Sequence, residues 1–204
     1  MKRRKANRLK GYDYSKDNLY FVTSCVKNME CCFGGVFRVG TGRDLSEHNA
    51  HNNPDNYFDN NPDNIPENKN IMDAEMILNE FGIIANNQLE WMQNQYPYII
   101  LHSYIVMPNH IHAVIEIDSN LLNTVPNLDE PKKIEKIKSL SQIMGAFKTT
   151  SSKLIHEAGT IDFAWHRSFH DHIVRDEKAY LNIVNYIENN PNSWNKDTFY
   201  KNLN

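Results

Sequence analysis

The chain has 204 residues, 40% of them hydrophobic and 23% charged, a length that suits one domain with a full core and leaves two independent domains cramped. No run approaches the roughly 18 consecutive apolar residues of a membrane span, and the basic start MKRRKANRLK leads into no apolar signal core, so a cytoplasmic protein with no membrane partner is expected. The net charge of −3 argues against nucleic acid as a partner, unless the positive charge is concentrated in one place.

It is concentrated at the start of the chain. Lys2, Arg3, Arg4, Lys5, Arg8 and Lys10 fall within the first ten residues with no acid among them. Such an arm is able to track phosphates, with Arg3 and Arg4 as candidate DNA contacts, and is equally compatible with a solvated terminus. Next, LYFVTSCV (19–26) and CCFGGVFRV (31–39) are rich in β-branched and aromatic residues and read as neighbouring strands joined in a hairpin. The three cysteines, Cys25, Cys31 and Cys32, are odd in number, lack CxxC spacing and are expected to be buried thiols. From 41 to 70 the chain is dominated by Asn, Asp and Pro, with NPDNYFDN followed by NPDNIPEN, an insertion without a core of its own.

Residues 71–93 place Ile71, Ala74, Ile77, Leu78, Phe81, Ile84, Ala85, Leu89 and Met92 at mostly helical intervals, which predicts a long amphipathic helix disturbed near Gly82. YPYIILHSYIV and HIHAVIEI read as two strands joined by a Met107-Pro108-Asn109 turn. After a polar connection over 119–138, Leu140, Ile143, Met144, Phe147, Ser151 and Leu154 mark the stripe of a second helix that Gly159 can end. Residues 163–175 look extended, and Asp176 can cap a last helix running from 177 to about 190, before Pro191. The expected class is α+β, with helices packed on an antiparallel sheet.

Within VMPNHIHAVIEID the odd positions Ile111, Ala113, Ile115 and Ile117 are apolar, whereas His110 and His112 leave the strand on the other face. Two such imidazoles stand roughly 6 to 7 Å apart at the backbone, close enough to converge on one cation. Taken alone, an HxH is more often a pair of ordinary hydrogen-bonded histidines. The last helix supplies what a site would lack. Its buried stripe is Tyr180, Ile183, Val184 and Ile187, and Tyr186 points away from that stripe with Asn190 one turn further on the same side. A hydroxyl and an amide opposed to two imidazoles make a constellation of nucleophile and ligands. A partly buried tyrosine with a hydrogen-bonded hydroxyl is the commoner reading of Tyr186 by itself. His170 and His172 repeat the i, i+2 spacing, but with Asp171 between them they lack the apolar alternation that sets the facing of the first pair.

Four blocks, RLKGYDYSKDNLYFVTSCVKN, SYIVMPNHIHAVIEI, LSQIMGAFKTTSSKLI and FHDHIVRDEKAYLNIVNYIENNP, together resemble, in order and over nearly the full length, the HUH single-tyrosine transposases, especially the REP-associated tyrosine transposases. The resemblance implies a ferredoxin-like fold, the HUH endonuclease fold. It further implies His110 and His112 as metal ligands, Tyr186 as nucleophile, Asn190 as the residue completing the metal site, and single-stranded DNA, usually folded into a hairpin or palindrome, as substrate. The Asn-rich insertion and the mildly acidic total depart from the family pattern.

Such a site would hold Mg²⁺ or Mn²⁺, polarise a scissile phosphate for a phenol that is otherwise a poor nucleophile, and give a 5′-phosphotyrosyl link with a free 3′-OH. Lys148, Arg175 and His172 are further candidates for DNA contact. Two other functions fit the same residues. One is a phosphodiesterase in which the metal activates water; the other is a domesticated palindrome-binding protein that does not cut. Monomer and homodimer are both compatible with the sequence.

Overall fold

Residues 11–39, 73–123 and 136–200 are described by a computed structural model. The basic arm with Arg3 and Arg4, and the Asn-rich segment 41–70, lie outside the described residues.

Among the described residues six strands and four α-helices follow in the order β1 (Asn18–Cys25), β2 (Gly34–Val39), β3 (Asp73–Leu78), α1 (Glu80–Gln95), β4 (Ile99–Met107), β5 (His110–Ile117), α2 (Leu140–Glu157), β6 (His170–Val174), α3 (Glu177–Glu188) and α4 (Asn190–Ser193). The main sheet has the order β4-β5-β1-β6 with every neighbouring pair antiparallel. Two β-α-β units interleave: β1-α1-β4 straddles β5, and β5-α2-β6 straddles β1. That arrangement is ferredoxin-like, as expected. It places β1 and β5 at the centre, where neither strand has a free edge.

Alternation along the central strands divides the sheet into two faces. Tyr20 and Val22 of β1 stand beside Ile115 and Ala113 of β5, and with Ile111, Ile117 and Ile173 they bury against Ala85, Leu89 and Met92 of α1 and Leu140, Ile143, Met144, Phe147 and Ile155 of α2. The other face carries Phe21 and Thr23 of β1, His110 and His112 of β5, and His170 and His172 of β6, because Thr23 pairs with both His112 and His170, and Phe21 with His172. There α3 lies against β4 and β5.

Five expectations change. Residues 73–78 form a strand, not the first turns of a helix, and β2 pairs with β3 instead of forming a hairpin with β1. In DAEMIL the apolar residues satisfy both periods, and pairing decides: Ala74, Met76 and Leu78 turn inward while Asp73, Glu75 and Ile77 are exposed. Gly34, at φ +125°, allows the close approach, since a Cβ there would lie 2.1 Å from the Ile77 carbonyl oxygen. The helix therefore starts at Glu80, where the Asn79 side chain accepts from the Gly82 N–H at 3.0 Å. Gly82 does not disrupt it; the missing side chain lets α1 press onto the Phe33 carbonyl, which a Cβ would meet at 2.2 Å. Of the cysteines only Cys25 is buried, because Cys31 and Cys32 lie on the connection into β2 and not in a strand. Along α2 the inward position falls to Ile155, and Leu154 is exposed.

Candidate active site

The face of β5 that carries the histidines is covered, so His110 and His112 are 0% and 1% exposed. Their Nε2 atoms are 3.0 Å apart. Behind them, His110 Nδ1 meets Asn109 Oδ1 at 2.9 Å and His112 Nδ1 meets Thr23 Oγ1 at 2.8 Å. Both imidazoles are pushed down to about 3, His110 by burial and His112 by burial reinforced by His110 and slightly opposed by Asp197. At neutral pH they are therefore uncharged, the state in which imidazole is a ligand.

The Tyr186 hydroxyl lies 3.2 Å from His112 Nε2, and the two rings meet edge to face with centroids 5.1 Å apart. Phe21 stacks on His112 and presents its edge to Tyr186, fixing both from the β1 side. With 42% of its surface exposed, Tyr186 is open to an approaching molecule. Its pKa is raised, by burial first and by the Asp197 carboxylate second, while the Asn190 amide acts in the opposite direction. Unaided, this phenol is a poorer nucleophile than tyrosine in water, and a cation between it and Asp197 would reverse that.

Asn190 opens α4 with its side chain 1% exposed. Its amide nitrogen donates to Asp197 Oδ2 at 3.3 Å, and its Oδ1 is a buried acceptor with no protein partner. Asp197 escaped the sequence reading. Its carboxylate and the two histidines offer ligand atoms that all lie within 4.8 Å of one another. It sits in SWNKDTFY, past the last predicted helix, where no periodicity marks a facing. In the same segment Phe199 and Trp194 cover His110 at ring distances of 4.7 and 5.9 Å.

Other expected site residues are more scattered. Lys148 Nζ donates to the carbonyls of His166 and Ser168 at 2.9 and 3.0 Å and sits 5.4 Å from the Phe169 ring centroid, so it ties down the approach to β6. Arg175 is exposed just beyond β6, and His172 is exposed on the same sheet face as the buried pair. His170 is exposed as well, and among the described residues the pair 170/172 gathers no third ligand.

The donor set fits a divalent ion. Two neutral imidazole nitrogens 3.0 Å apart have about the spacing of neighbouring ligands each ~2.1 Å from a shared ion. A carboxylate beside them brings the opposite charge, and Asn190 Oδ1 supplies a buried oxygen that otherwise lacks a partner.

No family model matches the chain. An uncharacterised protein of Haemophilus influenzae is 29% identical over 203 residues, covering 97% of this chain and 93% of the relative. Among solved structures, similarity extends to a REP-associated tyrosine transposase bound to a REP hairpin, with a TM-score of 0.48 and 16% identity over 92% of this chain and 73% of that one. A candidate transposase from Deinococcus radiodurans gives a TM-score of 0.42 and 14% identity over 89% of this chain and 95% of that one.

Proposed function

We propose that this chain is a divalent-metal-dependent DNA strand transferase that cuts and rejoins single-stranded DNA at hairpin-associated sites through a 5′-phosphotyrosyl intermediate on Tyr186. The observation that carries this reading is the Tyr186 hydroxyl standing 3.2 Å from His112 Nε2, beside a second imidazole, an amide oxygen without a partner and a carboxylate. The four sequence blocks that resemble single-tyrosine transposases support it independently.

In this scheme His110, His112 and Asn190 hold the ion, with Asp197 adding charge. Mg²⁺ or Mn²⁺ bound there would offset the negative charge gathering on the scissile phosphate oxygens. Tyr186 Oη attacks phosphorus, the bond from phosphorus to the 3′ oxygen breaks, and the phenolic proton is replaced by one on the departing 3′-OH. One phosphodiester is exchanged for another, so a new 3′-OH can reverse the step without ATP. His172 and Arg175, with Arg3 and Arg4 of the arm, are assigned to phosphate contacts along the strand, and Lys148, held on the His166 and Ser168 carbonyls, supports the approach to β6.

The test is a hairpin oligonucleotide labelled on the 5′ side of each candidate nick and, separately, on the 3′ side. The proposal expects metal-dependent transfer of the 3′-side label to protein, and its loss in Tyr186→Phe. Cleavage that survives this change points to water as the nucleophile; hairpin binding with no product in Mn²⁺ points to a binding protein. Either result rejects the transferase.

A further inference from the structure

Asn109, read from sequence as a turn residue, is 0% exposed and makes three hydrogen bonds with its side chain. Its amide nitrogen donates to the Met29 carbonyl at 3.1 Å and to the Phe199 carbonyl at 2.8 Å. Both partners are acceptors only, so both amide hydrogens are committed and the orientation of the group is settled. A flipped amide would set its oxygen against two carbonyl oxygens. Asn109 Oδ1 must then be the atom facing His110 Nδ1, 2.9 Å away, and an amide oxygen can only accept. It follows that Nδ1 carries the ring proton of neutral His110 and that Nε2 is left with its lone pair.

The two carbonyls are themselves held in place. Met29 has φ +59° and follows Asn28 at φ +58°, a left-handed pair that is uncommon outside glycine and that directs the Met29 carbonyl inward. Phe199, whose N–H donates to Asp197 Oδ1 at 2.7 Å, lies two residues past that carboxylate. Across the site the second imidazole is treated differently. Thr23 Oγ1, 2.8 Å from His112 Nδ1, belongs to a hydroxyl that either donates or accepts as it rotates.

We propose that Asn109 is a positioning residue that holds His110 permanently in its Nδ1–H form, aiming the Nε2 lone pair at the ion position, while Thr23 leaves His112 free to adopt either form. The asymmetry suits a site that must be sound both empty and filled. With His110 Nε2 always bare, His112 Nε2–H donates to it across the 3.0 Å gap, and Thr23 donates to His112 Nδ1. With an ion bound, His112 would carry its proton on Nδ1 and Thr23 would accept from it, so no net proton need be released from the pair. The Asn109 amide also links the turn after β1 and the C-terminal segment to a single ligand, which places Asp197 and His110 in one hydrogen-bonded unit.

The ligand role of His110 rests on the function proposed above; its ring form in the ion-free chain does not. Histidine-labelled, ion-free protein examined by long-range ¹H–¹⁵N correlation is expected to show His110 protonated at Nδ1 alone. Asn109→Ala is expected to return His110 to a mixture of the two forms and to weaken Mn²⁺ binding, read by electron paramagnetic resonance, about 10- to 100-fold. An Nε2–H ring in the ion-free wild type overturns the proposal, as does a ring form unchanged in Asn109→Ala. If the wild type binds no Mn²⁺ yet shows the Nδ1–H ring and its loss in Asn109→Ala, the positioning role of Asn109 stands and the metal reading fails.

Discussion

His110 and His112 sit where a purely structural strand would place valine or isoleucine, and their burial has a price in acid. With values near 3 in the folded chain and about 6.5 when unfolded, neither imidazole takes up a proton on the native side until well below the point where the unfolded chain has done so. The unfolded state therefore binds more protons throughout that window. Stability contributed by the neutral pair is complete above about pH 6.5 and falls progressively as the pH drops toward 3. Urea titrations of the ion-free protein between about pH 7 and pH 4.5 should show this loss, and His112→Gln should flatten it. A slope that the substitution leaves unchanged would refute the assignment. Tyr186 is subject to a related effect: removing the Asp197 charge by Asp197→Asn should lower its pKa toward that of an ordinary tyrosine, followed by the ultraviolet absorbance of phenolate. A pKa that stays put or rises in that variant would exclude Asp197 as a cause of the shift.

Individual elements owe their ends to single side chains. Asp176 Oδ1 accepts from the Ala179 N–H at 2.8 Å and so starts α3, the helix that delivers Tyr186. Asp176→Ala should cost about 1 kcal/mol of stability, measured by chemical denaturation, and should loosen Tyr186 more than it loosens the sheet. At the start of α1 the controlling feature is a missing side chain. Gly82→Ala would push a methyl against the Phe33 carbonyl, which belongs to rigid backbone, and should destabilise the fold by about 1–3 kcal/mol or more in the same measurement. An effect within a few tenths of a kcal/mol would mean that α1 can slide away from β2 at no cost. The stripes of α2 and α3 were legible because one helix face meets one layer, and Ile143, Phe147 and Ile187 bury as their spacing requires. The segment DAEMIL was misread because six residues are too few to separate a period of two from one of 3.6; its partner β2, about 40 residues earlier, settles the matter.

At the scale of the molecule, the candidate site joins the middle of the sheet to the last fifteen residues described. His110 and His112 come from β5, Asn190 from α4 and Asp197 from the tail beyond it. An ion held between them should therefore stabilise the whole fold, by about 2.7 kcal/mol at a concentration a hundred times its dissociation constant, seen as a rise in Tm that a chelator reverses. Tyr186→Phe should keep that rise and His112→Ala should lose it; an equal rise in both would locate the ion elsewhere. By itself the sequence determined the α+β class, the two faces of β5 and the placing of Tyr186 off the buried stripe of α3, because each follows from a short-range period that the backbone imposes. Only the tertiary structure decided that the histidine face is roofed over, that β2 pairs with β3, that Asp197 joins the imidazoles and that Asn109 orients one of them. These are meetings between residues as much as 90 positions apart in the chain, and burial and hydrogen bonding select them only once the sheet has closed.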